Sequence, residues 1–334
     1  MKAMMLRELG GPGQLKYEEV PDPTPGAREV VVRLHAAALN RRDVYITYGQ
    51  YPGIKLPAIP GSDGAGEVVA VGDEATDVQT GSEVIINPGL NWGSDIHKKS
   101  RDFNILGVPT NGTYAQYVKI PAENVFKKPS HLSWEEAAAL PLGGVTAYRA
   151  LLTKGQVKEG ETVLIPGIGG GVATFLVQFA SALGANVYVT SSKDEKIDQS
   201  KKFGAAGGVN YTSENYVKEL KSLSGGVDLS VDSIGGEVFD ALVSLGKVGG
   251  RIVSFGATKG PVPKLVMPKV FLKEITILGS TMGSSQEFGE MVDLVEKHQI
   301  HPVLDQTFSL EEATEAQTRM EKGENFGKIV LSIP

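Results

Sequence analysis

Four glycines lie within five residues, at Gly167, Gly169, Gly170 and Gly171, and glycine at that density suits the binding of phosphate. Where there is no Cβ, a pyrophosphate can approach the backbone closely, and the N–H groups and dipole of a helix starting there favour its charge. The flanking residues predict that helix. An apolar run, Val163 to Ile165, precedes the glycines, and Val172, Phe175, Leu176, Phe179 and Leu183 follow at three- and four-residue spacing, one apolar face that Gly184 can terminate. A second β-branched run, Val187 to Thr190, completes strand, glycine-rich turn, helix and strand, the pattern of a dinucleotide-binding βαβ unit.

The end of the second strand selects among dinucleotides. An Asp or Glu there bonds the ribose 2′-OH of NAD and would repel a 2′-phosphate. This chain has Thr190, Ser191 and Ser192, with Lys193 and Lys196 beyond. Hydroxyls and an ammonium suit a phosphate, so the reading is NADPH, with Ser191, Ser192 and Lys196 as contacts. Lys193 reads equally well as a solvated charge opening a surface helix.

A second chemical cluster is Asn40-Arg-Arg-Asp43-Val-Tyr45, with Tyr51 beyond. A phenol can donate a hydrogen bond or a proton to a carbonyl oxygen. Asn40, Tyr45 and Tyr51 are therefore candidate catalytic groups, and Asp43 joins them, although a helix N-cap is the stronger reading for that carboxylate. The polar stretch Asn87–Gly112 holds Trp92, Asp95, His97, Lys98, Lys99 and Arg101. Asp95 and His97 alone do not make a metal site, and His35, His131, His298 and His301 show no ligand spacing. With no cysteine in the chain, disulfides and thiolate metal sites are excluded, and no protein-bound metal is expected.

These residues need two kinds of scaffold. Residues 1–125 read as short strands (Val30–Leu34, Gly66–Gly72, Glu83–Ile86, Thr113–Ile120) separated by Pro and Gly clusters, a small barrel-like domain. From about Ser130 strands alternate with helices, which means a doubly wound parallel sheet. In such sheets ligands sit beyond the carboxyl ends of the strands, placing Gly167–Gly171, Ser191–Ser192, Ser233 and Gly256–Ala257 along one edge. Ser133-Trp-Glu-Glu136, Ser284-Ser-Gln-Glu287 and Ser309-Leu-Glu-Glu312 are capping boxes, and the tail is expected to rejoin the first domain. The expected domains are 1–125 with 299–334, and 126–298. A net charge of −6 over 334 residues argues against a general nucleic-acid or anionic-membrane binder. No run is long enough to span a bilayer and the N-terminus reads as a strand, so a cytoplasmic protein is expected.

Over nearly its full length the chain resembles the medium-chain dehydrogenase/reductase superfamily, and most of all its zinc-independent quinone oxidoreductase branch. The resemblance is carried by Gly61-Ser-Asp-Gly-Ala-Gly66-Glu-Val, Leu140-Pro-Leu-Gly-Gly-Val-Thr146-Ala-Tyr, Pro166-Gly-Ile-Gly-Gly-Gly-Val-Ala173, Val231-Asp-Ser-Ile-Gly-Gly236 and Asn325-Phe-Gly-Lys-Ile-Val-Leu. It implies an α/β protein, a GroES-like β-rich catalytic domain joined to a Rossmann doubly wound parallel sheet. It also implies homodimers or tetramers through an edge strand near Ile275–Gly279. Asn40, Thr146, Gly256, Ala257 and Asn325 match nicotinamide-side positions; Gly167, Gly170, Gly171 and Val172 match the pyrophosphate; Ser192, Lys196 and Tyr211 match the 2′-phosphate side. Asn40, Asp43, Tyr45 and Tyr51 match the substrate pocket of that branch. The resemblance departs where zinc alcohol dehydrogenases carry Cys, His, Glu and Cys, since this chain has Asn40, Ser62, Asp63 and Leu142, and Asn87–Gly112 has the length of their structural-zinc lobe without its cysteines. The expected activity is NADPH-dependent reduction of a quinone, enone or enal. The alternatives are a sensor or interaction protein that binds NADPH without turnover, and a metal-dependent alcohol dehydrogenase.

Overall fold

The alternation after Thr162 becomes a six-stranded sheet in the computed structural model, which describes residues 1–334. Its strands lie side by side as Ala205–Asn210, Asn186–Ser191, Thr162–Ile165, Val227–Asp232, Gly246–Ser254 and Thr276–Gly279. Every pairing is parallel. In chain order this is 3-2-1-4-5-6, the Rossmann arrangement, whose direction of winding reverses between Thr162–Ile165 and Val227–Asp232. Helix Gly171–Ala182 follows the glycines, buries Phe175, Leu176, Val177 and Phe179, and ends before Gly184 at φ 79°. Its apolar spacing was legible because a helix covering a parallel sheet must present one continuous apolar stripe.

The other sheet has seven strands, with Leu304–Ser309, Lys328–Ser332, Glu29–Ala38, Asp63–Val71, Glu83–Ile86 and Val125–Lys127 in order and Tyr117–Pro121 also on Glu29–Ala38. The tail thus returns, since Val330, Leu331 and Ser332 pair antiparallel with Ala38, Ala37 and Ala36. Gly66 lies opposite Leu34, and a Cβ there would collide with the Arg33 carbonyl oxygen. The core of this unit gathers Val32, Leu34, Leu39, Ile46, Tyr114 and Leu331.

The chain divides into compact units at 1–145 with 283–334, and 146–282, rather than at 125 and 299. Two helices account for the difference. Trp134–Ala139 stacks Trp134 on His35 at 4.5 Å, and Ser285–His298 sets Phe288 against Phe126 at 4.7 Å. Their apolar faces therefore belong to the first unit. The capping boxes at Ser133 and Ser284 form in both directions. At Ser309 a 3-10 turn, Leu310–Glu312, comes before helix Ala313–Lys322. Helix Pro141–Tyr148 follows Trp134–Ala139, and it runs into a π-helical segment, Arg149–Lys154. No helix is long and apolar enough to cross a membrane.

The Asn87–Gly112 lobe is held by an aromatic plug. Trp92, 5% exposed, meets Phe103 edge-on at 5.1 Å, and its indole N–H donates to the Asp95 carbonyl. The short strands Gly89–Leu90 and Asn104–Ile105 close the lobe, and Asn124 Nδ2 donates to the carbonyls of Asn87 and Gly89 at its base. Trp92→Ala should cost about 3–5 kcal/mol in chemical denaturation, as large aromatic truncations in packed cores do. A loss under about 1 kcal/mol would show that the plug does not hold the lobe.

Candidate functional site

In the first unit the cluster around Asn40 is assembled by a helix start, two strands and a helix entry. Asn40 is the N-cap of helix Arg41–Thr47, with extended backbone at φ −129°. Asp43 reaches back to accept the Asn40 N–H at 2.8 Å, and the Asp43 N–H donates to the Asn40 carbonyl at 2.9 Å. Asp43 is completely buried and also accepts the Tyr114 hydroxyl at 2.9 Å. Burial raises its pKa above the ordinary carboxylate value, opposed by the Arg42 charge and by the Asn40 and Tyr114 donors. Burial, together with Asp43, pushes the Tyr114 phenol well above its usual value. Asp43 thus has the capping geometry and no surface from which to touch a substrate. Tyr45 and Tyr51 are each half-buried. Tyr45 is on the helix itself, and Tyr51 lies beyond it with the Arg42 guanidinium over its ring at 4.6 Å.

The Asn40 side chain turns to Asp63, at the start of strand Asp63–Val71. Its Nδ2 donates to Asp63 Oδ2 at 2.9 Å, and the Leu142 backbone N–H donates to Asp63 Oδ1 at 2.8 Å. Lys328, at the start of the last strand, completes the set. Its Nζ donates to Asp63 Oδ2 at 2.9 Å, to Asn40 Oδ1 at 2.9 Å and to the Leu39 carbonyl at 2.7 Å. Three acceptors use all three protons of the ammonium. The pair is dry, with side-chain exposures of 3% for Lys328 and 0% for Asp63. Beside it, Arg42 Nη1 donates to Ser62 Oγ and to the Leu106 carbonyl, and Ser62 Oγ donates to that same carbonyl.

Asn40, Asp63 and Leu142 therefore converge, and Ser62 lies next to them in sequence. An amide, a hydroxyl, one carboxylate and an aliphatic chain are not a zinc ligand set, and the carboxylate already holds an ammonium. No group of three His, Cys, Asp or Glu side chains able to hold a metal exists elsewhere in the chain. The residues present do not fit zinc.

In the second unit the glycine loop sits at the reversal point of the sheet. Gly167 (φ 69°) and Gly169 (φ 135°) occupy the left-handed half of backbone space that only glycine enters cheaply. Gly170 is the exposed N-cap of helix Gly171–Ala182, with open space where a side chain would be, and Gly171 and Val172 open its first turn. Gly167 N–H donates to Thr190 Oγ1 at 3.2 Å, tying the loop to the second strand. The Lys196 ammonium lies 3.0 Å from where a Cβ on Gly169 would stand, so a cation from the next helix lies over the loop. Ser192 and Tyr211 are exposed. Ser191 is buried, and its hydroxyl accepts the Lys193 N–H at 3.1 Å, a local turn that uses this side chain within the protein.

Next to the loop a cavity of about 150 Å³ is lined by Pro166, Gly167, Thr190, Tyr211, Ile234 and Lys259 among others. Ser233 and Gly256 belong to adjacent turns, since a Cβ on Gly256 would lie 3.1 Å from the Ser233 carbonyl oxygen, and Ala257 is exposed beside them. Asp232, fully buried, shapes the Ser233–Gly236 turn by accepting the Ile234 and Gly235 N–H groups. Burial raises its pKa despite these donors. Thr146 is buried, 4.0 Å from Met282 Sδ. In the first unit Asn325 Nδ2 donates to the Gly327 carbonyl just before Lys328.

Sequence reasoning overlooked Lys328 and Arg42. Lys328 left a signal, a lone charge at the head of the buried run Ile329-Val-Leu331, because a lysine is almost never fully buried without a partner. Arg42 left none, since nothing local says which of two adjacent arginines turns inward.

Two family models match the chain, the alcohol dehydrogenase GroES-like domain over residues 26–130 and the zinc-binding dehydrogenase domain over 171–297. A zinc-type alcohol dehydrogenase-like protein of Leptosphaeria maculans is 37% identical over 339 residues, covering 96% of this chain and 94% of that protein. A quinone oxidoreductase of Pseudomonas aeruginosa is 30% identical, covering 99% of each. The solved structure of an NAD-dependent alcohol dehydrogenase superposes with a TM-score of 0.96 at 38% identity, covering 100% of both chains. The two units, their order in the chain and these likenesses agree, and the chain belongs to the medium-chain dehydrogenase/reductase superfamily, an oxidoreductase of a nicotinamide-dependent family.

Proposed function

We propose that this protein is a zinc-independent, NADPH-dependent reductase of a quinone or an α,β-unsaturated carbonyl. The observation that carries the reading is Lys328 bonded to Asp63 among the residues that stand in place of zinc ligands. Without such a metal the site has no Lewis acid to make an alkoxide from an alcohol, which disfavours simple alcohol oxidation. A conjugated acceptor needs less help, because hydride addition at the β-carbon or at a quinone position spreads charge onto an enolate or quinol oxygen that one hydrogen-bond donor can stabilise. The dinucleotide, when bound, supplies the hydride. Tyr45 or Tyr51 would donate to the oxygen and provide its proton, and Asn40 would orient the nicotinamide or the substrate. NADPH is favoured over NADH by Ser191 and Ser192, rather than a carboxylate, at the end of strand Asn186–Ser191 and by Lys196 over the loop.

The test is a side-by-side titration with NADPH and NADH, then a panel of quinones, enones and simple alcohols with and without a zinc chelator. The expected result is preference for NADPH and turnover of a conjugated acceptor that the chelator leaves unchanged. Lys196→Ala should weaken NADPH by about 10- to 100-fold, the worth of a hydrogen bond to a charged group, and leave NADH unaffected. Equal or better NADH binding would refute the cofactor assignment. Near-stoichiometric zinc with alcohol oxidation would restore the metal-dependent reading, and tight NADPH binding with no acceptor would assign a sensor.

We also propose a homodimer through the edge of the parallel sheet. Strand Thr276–Gly279 pairs on one side only, and Ile277 on it is 39% exposed, with Phe271 and Leu272 of the preceding helix at 61% and 73%. An exposed apolar edge is a template for pairing unless it is covered. Light scattering should give a dimer or a dimer of dimers, and Ile277→Lys should shift the mass to a monomer. A monomeric wild type would refute the proposal.

A further inference from the structure

We infer that Lys328 is a positioning residue. Its ammonium supplies the fixed positive charge of the Asn40–Asp63 site and locks the Asn40 amide in one orientation. The inference rests on the reading of Asn40 as a substrate- or cofactor-orienting group.

The three groups determine one another. An amide can be turned about its last torsion, and its two ends look alike in shape, so its direction is set by its neighbours. Here one neighbour is a carboxylate and the other an ammonium. With Nδ2 toward Asp63 and Oδ1 toward Lys328 both contacts attract. The opposite orientation would set a carbonyl against a carboxylate and an NH₂ against an ammonium, in a site where neither charge reaches water. The Nδ2 proton not given to Asp63 remains for a ligand, at a fixed angle. The backbone of Asn40 is fixed as well, by Asp43 at its N–H and by Lys328 at the preceding carbonyl, Leu39 O. Apolar residues could fill the same space, but they could not tell one end of the amide from the other.

The charge also decides what else the site accepts. A divalent cation at Asp63 would stand close to an ammonium that has no room to leave, so the site should reject added metal.

The test combines crystal structures and zinc binding, which need no turnover, with kinetics, for wild type, Lys328→Met, Asn40→Ala and the double variant Asn40→Ala/Lys328→Met. Asp63→Asn/Lys328→Met, neutral at both ends, serves should Lys328→Met not fold. Wild type should bind no zinc in equilibrium dialysis. In Lys328→Met, or in the neutral pair, the Asn40 amide should turn or leave its wild-type position. Lys328→Met should lower kcat by about tenfold to a hundredfold, as misplacement of a positioning group does, with the KM for NADPH within about twofold of wild type. The double variant should be no slower than Asn40→Ala alone, because a residue acting through Asn40 has nothing left to position. An unmoved Asn40 in both Lys328→Met and the neutral pair overturns the inference whatever the kinetics show, and so do losses that multiply in the double variant or stoichiometric zinc at Asp63. Should wild type reduce no acceptor, the proposed function fails, and the crystal structures and dialysis still decide the role of Lys328.

Discussion

Asp63→Leu should destabilise the protein by about 3–5 kcal/mol, the cost of stranding one member of a buried ion pair. Asp63 has no exposed surface and Lys328 keeps 3% of its side-chain exposure. Removing the carboxylate leaves an ammonium that can reach neither water nor another anion, its remaining partners being the Leu39 carbonyl and Asn40 Oδ1. Asn40 Nδ2 and the Leu142 N–H also lose their acceptor. The Coulomb attraction of the intact pair does not measure its net worth, because both charges were desolvated to form it. The neutral pair Asp63→Asn/Lys328→Met should therefore recover most of the loss, since it abolishes both charges at similar volume. Urea denaturation of the three proteins checks this. An Asp63→Leu loss below about 1 kcal/mol would mean the pair is solvated and behaves as a surface salt bridge.

The sequence made the second unit legible in detail because each of its elements obeys a local rule. Thr162–Ile165, the glycine turn and Gly171–Ala182 follow one another at short range, and helix Val238–Leu245 buries Phe239, Leu242 and Val243 at three- and four-residue spacing. In the first unit the elements that hold the site are nonlocal. Strand Leu304–Ser309 carries polar residues at most positions, half-buried or exposed throughout, so no alternation marks it, and its existence depends on pairing with Lys328–Ser332. The site itself joins residues 40, 63, 142 and 328, whose contacts span up to 288 positions. The departures from the zinc ligands were visible one by one, but not that a lysine from the last strand would meet them. The Asn87–Gly112 lobe shows the same division. Its length was apparent, whereas its order rests on Trp92 meeting Phe103, a contact that no spacing rule predicts.

Ser191 and Asp43 show how residue type alone leaves two uses of a polar group open. Both are polar residues beside candidate chemistry, and both spend their polar atoms on backbone N–H groups. Ser, Asp and Asn next to helix starts and turns have this competing use by default. Ser192, one position on, is exposed, and Tyr45, two positions past Asp43, is half-buried. Which neighbour faces outward is set by helix phase and strand pleat, and those are known only once the element's bounds are fixed.

Phase is also why Tyr45 carries the second large prediction. Tyr45→Phe should lower kcat on a conjugated acceptor by about 10²- to 10⁴-fold, the usual contribution of a positioned proton donor. The expected change in barrier is about 3–5 kcal/mol. Tyr45 is on the helix that Asn40 caps, with Asp43 fixing the first turn, so its phenol is carried by a rigid element and held in constant relation to Asn40. Tyr51 follows the helix, and its ring is engaged by the Arg42 guanidinium, a contact that phenylalanine would retain. Tyr51→Phe is therefore a matched control, removing a hydroxyl from the same neighbourhood without disturbing the stacking. NADPH affinity should stay unchanged in both variants, which separates loss of a donor from loss of the site. Unchanged turnover of Tyr45→Phe on every accepted acceptor would remove the role from Tyr45, and a large loss in Tyr51→Phe alone would transfer it there. Equal, small losses in both would mean that the developing oxygen takes its proton from water, and that the protein contributes orientation through Asn40 and no proton of its own.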